Sequence, residues 1–366
     1  MTNELILSQE VHFNGGQLPS GHSISNPIRN VLIVADEVVH SRYLPALNWL
    51  SGRISGIVVC GGEAHPNLDG LSCRHFRVLP ENLLPLDDLD GCGFLSRSTL
   101  AIIAMAPNAR PHYAYQLAGF CRSGLETPLA SNLALASILG PLAKADLDIF
   151  PIDYRLFSIG ARRFITSCRL NSISLRRLHH ITGAFYENTA FSCGSVRGAR
   201  LGVTQAHLFA FIIAVFNTSF APFCIVLDRV EVAANTVDNA GESLEAAHLS
   251  ASRIQGRIIS LDREVTFEFC QAETVPSSDK GVQMLTVDGL LLAQIDLNEN
   301  GWLPHLRVLE ELLSPEPNMY YSLADAIQLA NLVDVARAKA ENRSPYHLGD
   351  WPEVCGIMSA ASSLMT

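Results

Sequence analysis

Two side chains in this sequence are suited to moving a proton. They are His207, in "GARLGVTQAHLF", and Asp153, in "FPIDYRLF". An imidazole titrates near neutral pH, and a carboxylate bonded to one ring nitrogen fixes the tautomer and raises the basicity of the other. As a general base or acid such a group contributes about 10²–10⁴-fold in rate. A lone histidine in an apolar helix is usually a core residue with its ring nitrogens satisfied, and His207 sits in such a helix. Asp153 ends an apolar run, where sheet ligands bind, and this favours the chemical reading.

The elements that must position these residues fall into two kinds. "NVLIVAD" (Asn30 to Asp36), "ISGIVVCGG" (Ile54 to Gly62), "TLAIIAMAP" (Thr99 to Pro107) and "LDIFPID" (Leu147 to Asp153) are apolar strands. Between them lie helical stretches: "SRYLPALNWL", "HYAYQLAGFCRSG" with Gly124 as C-cap, and "LASNLALASILGPLAKA". Continuous apolar strands alternating with helices imply a parallel sheet covered on both faces, a doubly wound α/β domain over residues 29–150. After Asp153 come "HHITGAFYENTAF", "CIVLDRVEVAA", "SRIQGRIISL", "EVTFEFCQAE", "VQMLTVDG" and "LLLAQIDL", several alternating with period two. These predict an α+β domain over residues 151–342, with a large open, mainly antiparallel sheet and a closing helix in "SLADAIQLANLVDVARAKAEN". Residues 1–28 are expected to be a flexible N-terminal segment and 343–366 a tail.

Composition narrows the function classes. The net charge of −10 gives no basic footprint for nucleic acid, and "RRLHH" (Arg176 to His180) is the one basic cluster. Nine cysteines without a CxxC pair argue against a metal or disulfide framework and fit a reducing cytoplasm. The acidic N-terminus does not resemble a signal peptide. Between Arg200 and Asp228 there is no charged residue, but Gln205, His207, Asn217 and Pro222 interrupt the run. A buried helix and strand explain it better than a membrane span. An apolar second domain suits a homodimer through its sheet.

Three motifs carry a resemblance to known families. "ADEVVHSRYLPAL" is similar in its second half to the first turn of glucose-6-phosphate dehydrogenases, with Arg42 where that group has a lysine near the substrate. "GLETPLAS" resembles the G-x-x-E-K-P-x-A motif shared with the Gfo/Idh/MocA oxidoreductases: Glu126 and Pro128 match, and Thr127 replaces the lysine. "FPIDYRLF" resembles R-I-D-H-Y-L-G-K, and "GARLGVTQAHLF" resembles G-x-x-x-D-x-x-Q-N-H-L-x, matching at Asp153, Gly198, Gln205 and His207. The chain is similar to these families in the order of its elements over residues 29–342.

The resemblance implies a Rossmann-like nucleotide-binding-type domain and an Asp153–His207 acid/base pair, the aspartate bonded to the histidine. It implies NAD(P) as cofactor, no metal, and a small hydroxylated or imine substrate. Substrate contacts would come from Arg42, Glu126, Thr127, Tyr154, Arg155 and Gln205. Cofactor contacts would come from Ala35, Asp36, Glu63, Pro107 and Glu126, Pro107 lying in "APNARPH", which resembles a loop beside the nicotinamide. The first turn nevertheless has no glycine. Val38 and Val39 obstruct the close backbone approach a pyrophosphate needs. Asp36 and Glu37 place negative charge there, and unit charges 4 Å apart repel by about 4 kcal/mol at an effective dielectric near 20. Tyr154 and Ser158 replace the phosphate-holding residues of the sugar-phosphate enzymes, and Gly202 their sugar-binding aspartate, which argues against a hexose 6-phosphate. Two alternatives stand beside a redox enzyme: a non-redox isomerase, lyase or cyclase on the same scaffold, and a catalytically inactive binding protein.

Overall fold

The computed structural model describes residues 10–13, 27–35, 37–61, 73–76, 84–145, 147–170, 175, 178–187, 200–218, 221–234, 249–260, 263–273, 282–287, 290–296 and 301–341. The first sheet contains β2 (Asn30–Ala35), β3 (Gly56–Cys60), β4 (Cys73–Phe76), β5 (Thr99–Ala104), β6 (Arg122–Glu126) and β7 (Ile149–Ile152). Its order is β4-β3-β2-β5-β6-β7, all parallel. The helices α1 (Glu37–Trp49), α2 (Leu86–Gly91), α3 (Arg110–Leu117), α4 (Leu133–Ala136) and α5 (Gly140–Lys144) connect these strands. Every residue from Val31 to Ala35 and from Thr99 to Ala104 is buried, as strands covered on both faces require. The chain winds outward in both directions from β2 and β5, so the crevice for a ligand lies beyond their carboxyl ends.

The second sheet has order β1-β9-β10-β11-β8-β12-β13, built from β1 (Glu10–Phe13), β8 (His180–Glu187), β9 (Phe223–Ala234), β10 (Leu249–Ser260), β11 (Arg263–Glu273), β12 (Val282–Val287) and β13 (Leu290–Asp296). It is antiparallel except where β8 runs parallel to β11. The helices α6 (Ile159–Arg169) and α7 (Arg200–Asn217) precede the long strands, and α8 (Leu303–Leu312) and α9 (Leu323–Glu341) follow them. The face of β10 opposite the buried Ile254 and Ile258 carries paired charges: Arg257 bonds Asp228 and Glu264, and Arg253 bonds Glu268. No helix among the described residues is long and apolar enough to cross a membrane.

Four expectations are corrected. Within the N-terminal segment, Glu10–Phe13 is an edge strand paired with β9, its Val11 and Phe13 buried, because alternate apolar residues found a sheet edge far along the chain. Gly124 is inside β6 and caps no helix; a Cβ there would sit 2.4 Å from Ile152 Cδ1 and 2.9 Å from Leu312 Cδ1, so close packing explains this glycine. The stretch after Ser131 is broken into α4, a 3₁₀ turn Ser137–Leu139 and α5. The boundary at 150 falls inside β7, and α9 packs on α4 and β7 as well as on α7 and β9, tying both sheets together.

Candidate active site

Asp153 directly follows β7 and caps the 3₁₀ turn Tyr154–Phe157, its Oδ1 accepting from the Arg155 amide at 3.0 Å. Its Oδ2 lies 2.7 Å from His207 Nδ1. The side chains are 0% and 4% exposed, so the contact is shielded from bulk water. A carboxylate only accepts, so in the neutral ring Nδ1 carries the proton and Nε2 is left with a lone pair. The apolar stretch that disguised His207 is what carries it inward: α7 is buried on every described residue from Ala206 to Asn217.

Tyr154 joins this couple to a second aromatic group. Its ring stands edge-on to His207 at 5.9 Å and stacks on His305 of α8 at 4.6 Å. Tyr43 of α1 also meets His305, at 4.8 Å and edge to face. Arg42 and Arg155 lie 5.9 and 5.7 Å from the centre of the Tyr154 ring. His305 Nδ1 donates to the Gly301 carbonyl at 3.1 Å. Burial, reinforced by the Arg42 charge, brings its pKa down to about 3, so the ring is neutral at ordinary pH.

The end of β6 is held by a buried polar cluster. The Tyr43 hydroxyl donates to Glu126 Oε1 at 2.9 Å, and Arg110 Nη2 lies 3.5 Å from Glu126 Oε2. Arg110 also donates to the carbonyls of Met105, Glu126 and Pro128 at 2.6, 3.0 and 2.6 Å. One guanidinium thereby ties the loop after β5 to the loop after β6. Burial raises Glu126 above the ordinary carboxylate range, against the pull of Arg110 and the Tyr43 hydrogen bond. Burial, then the Glu126 charge, raises Tyr43 well above the usual phenol value. The Thr127 hydroxyl pairs with the Tyr321 hydroxyl at 2.6 Å.

Of the residues expected at the site, Arg42, Glu126, Thr127, Asp153, Tyr154, Arg155 and His207 gather around the carboxyl ends of β6 and β7. Ala35 is buried at the end of β2, and Pro107 lies half-buried in the loop after β5. Asp36, Glu63, Gly198 and the Gln205 side chain lie outside the described residues. The sequence reading missed Tyr43, Arg110, His305 and Tyr321. Arg110 stands in a stretch singled out only for Pro107. His305 has no local signal beyond its place in an apolar helix.

The sequence resemblance implies a nicotinamide dinucleotide, and the described residues at the end of β6 do not offer one the free side-chain groups of Glu126 and Thr127. Both oxygens of Glu126 are engaged within the protein, and the Thr127 hydroxyl is on Tyr321. At the end of β3, a Cβ on Gly61 would fall 1.9 Å from the Ala35 carbonyl oxygen, so the missing side chain serves backbone packing. Among the described residues no group of three or more His, Cys, Asp or Glu is arranged to hold a metal ion.

No family model matches the chain, and no curated protein matches it. Solved structures do. GenD2 from gentamicin A biosynthesis, in complex with NAD, shares 12% identity at a TM-score of 0.59, covering 89% of this chain and 98% of its own. Myo-inositol 2-dehydrogenase from Lactobacillus plantarum shares 9% at 0.61, with 86% and 98% covered. The WlbA dehydrogenase from Bordetella pertussis, in complex with NADH and UDP-GlcNAcA, shares 10% at 0.57, with 87% and 97% covered. The likeness gives no support to the glucose-6-phosphate dehydrogenase motif. Over nearly its whole length, the chain has the fold of Gfo/Idh/MocA-type dehydrogenases.

Proposed function

We propose that this chain is an oxidoreductase in which the Asp153–His207 couple is the acid/base group for a small substrate bearing a hydroxyl or an imine nitrogen. The observation that carries this reading is the 2.7 Å bond between the two side chains, at the strand ends where this fold binds ligands. Asp153 orients the ring, and His207 Nε2 accepts the hydroxyl proton, or returns one to nitrogen in the opposite direction. Tyr154 walls the site beside the ring. The chemistry that a bound nicotinamide would supply is hydride transfer at the substrate carbon. The nicotinamide's contacts would come from elsewhere than Glu126 and Thr127. The proposal includes a homodimer formed through the seven-stranded sheet.

A second reading, non-redox acid/base chemistry on this scaffold, is favoured by the engagement of Glu126 and Thr127 within the protein. Calorimetric titration with NAD, NADH, NADP and NADPH separates the two. The redox reading expects one of them to bind below about 1 mM, near −4.1 kcal/mol. Absence of binding by all four removes it. With either chemistry, His207→Gln is expected to slow turnover by about 10²-fold or more. Unchanged turnover would remove the couple from the mechanism.

A further inference from the structure

Tyr154 is the meeting point of the site, and two guanidinium groups lie within 6 Å of its ring centre. Arg42 is solvent-exposed on α1, one residue before the buried Tyr43. Among the described residues no ion pair or hydrogen bond holds it; its described contact is the Tyr154 ring. The carboxylates at the ends of β6 and β7 are already engaged. Glu126 is bonded by Tyr43 and faces Arg110, while Asp153 is bonded by His207 and by the Arg155 amide.

We propose that the substrate carries an oxyanion, a carboxylate or a phosphate, which Arg42 and Arg155 hold over the Tyr154 ring beside the Asp153–His207 couple. A planar guanidinium matches two oxygens of either group, and Tyr154 presents a face on which the fork can lie. His305 supplies the complement. It is 1% exposed, stacks against Tyr154, and its Nε2 has no hydrogen-bond partner. Because the imidazole is neutral, it adds no third cation beside the ring. It offers an acceptor to a hydroxyl of the same ligand. A buried acceptor left unmade costs about 1–3 kcal/mol, which such a hydroxyl would recover. The substrate class is therefore a small hydroxy acid or a phosphorylated alcohol. This deepens the acid/base reading and rests on it for the reacting group.

The experiment is calorimetric titration of the full chain with glycerate, glycerol 3-phosphate and uncharged glycerol at low ionic strength. At least one charged probe is expected to bind about tenfold or more tighter than glycerol, with the difference shrinking as salt is added. The tighter of the two assigns carboxylate or phosphate. Arg42→Gln is expected to cut that affinity about tenfold and leave the melting temperature unchanged, since the side chain is exposed. Glycerol binding as tightly as both anions, full affinity in Arg42→Gln, or no binding of either anion up to about 50 mM would each overturn the proposal. Failure of the acid/base reading shows elsewhere: His207→Gln leaves probe binding intact whatever it does to turnover.

Discussion

Replacing Arg110 by Met removes one buried cation and leaves its shape largely filled. In the wild type, Arg110 and Glu126 side chains are 8% and 9% exposed with 3.5 Å between them, and the guanidinium also serves three backbone carbonyls. Breaking a buried pair by removing one partner costs about 3–5 kcal/mol, because the remaining charge is stranded. The loss should depend on pH. Burial already raises Glu126, and Arg110 is the largest influence opposing that rise. Without Arg110 the carboxyl binds its proton more tightly in the folded state than in the unfolded chain. The variant therefore gains stability relative to the wild type as pH falls toward the raised value. Urea unfolding at pH 7.5 and pH 5.5 measures this. The expected penalty is about 3–5 kcal/mol at the higher pH and clearly smaller at the lower one. A penalty below about 1 kcal/mol, or one equal at both pH values, would show that the cluster is not held as described.

Gly61 has φ of +138°, and a Cβ there would meet the Ala35 carbonyl oxygen. Gly61→Ala should cost about 3 kcal/mol or more in urea unfolding. Arg122 of β6 is 1% exposed and donates to the carbonyls of Leu312, Ser314 and Pro315. Arg122→Met should speed amide exchange in the α8–α9 connection and cost about 3 kcal/mol. For the proposed homodimer, Arg257→Glu reverses a charge paired with Asp228 and Glu264. Light scattering should show a wild-type dimer weakened by this change. A monomeric wild type would remove the dimer.

Much of the architecture was legible because it is local. The runs from Val31 to Ala35 and from Leu100 to Ala104 are short and apolar throughout, as strands covered on both faces are. Asp153 was legible as the end of such a run, and His207 through its motif. Pairings made across the fold left no local trace. "EVHF" is four residues among polar ones, and its partner strand begins at Phe223. Arg110 looked like part of a loop because its carbonyl partners sit on two separate turns. His305 sits in an apolar helix, and only its ring contacts, stacked with Tyr154 and edge to face with Tyr43, set it apart. Glu126 was expected to face a cofactor, and its burial against Arg110 and Tyr43 depends on a helix 83 residues away.

The central claim is that Asp153 fixes the tautomer of the His207 ring, with the proton on Nδ1 and none on Nε2. The ¹⁵N chemical shifts of that imidazole, at a pH where it is neutral, test this most directly. The expected spectrum has a protonated Nδ1 and an unprotonated Nε2 in the wild type, and a mixture of the two forms in Asp153→Asn, whose amide can also donate. A wild-type ring protonated at Nε2, or a spectrum unmoved by Asp153→Asn, would contradict the claim.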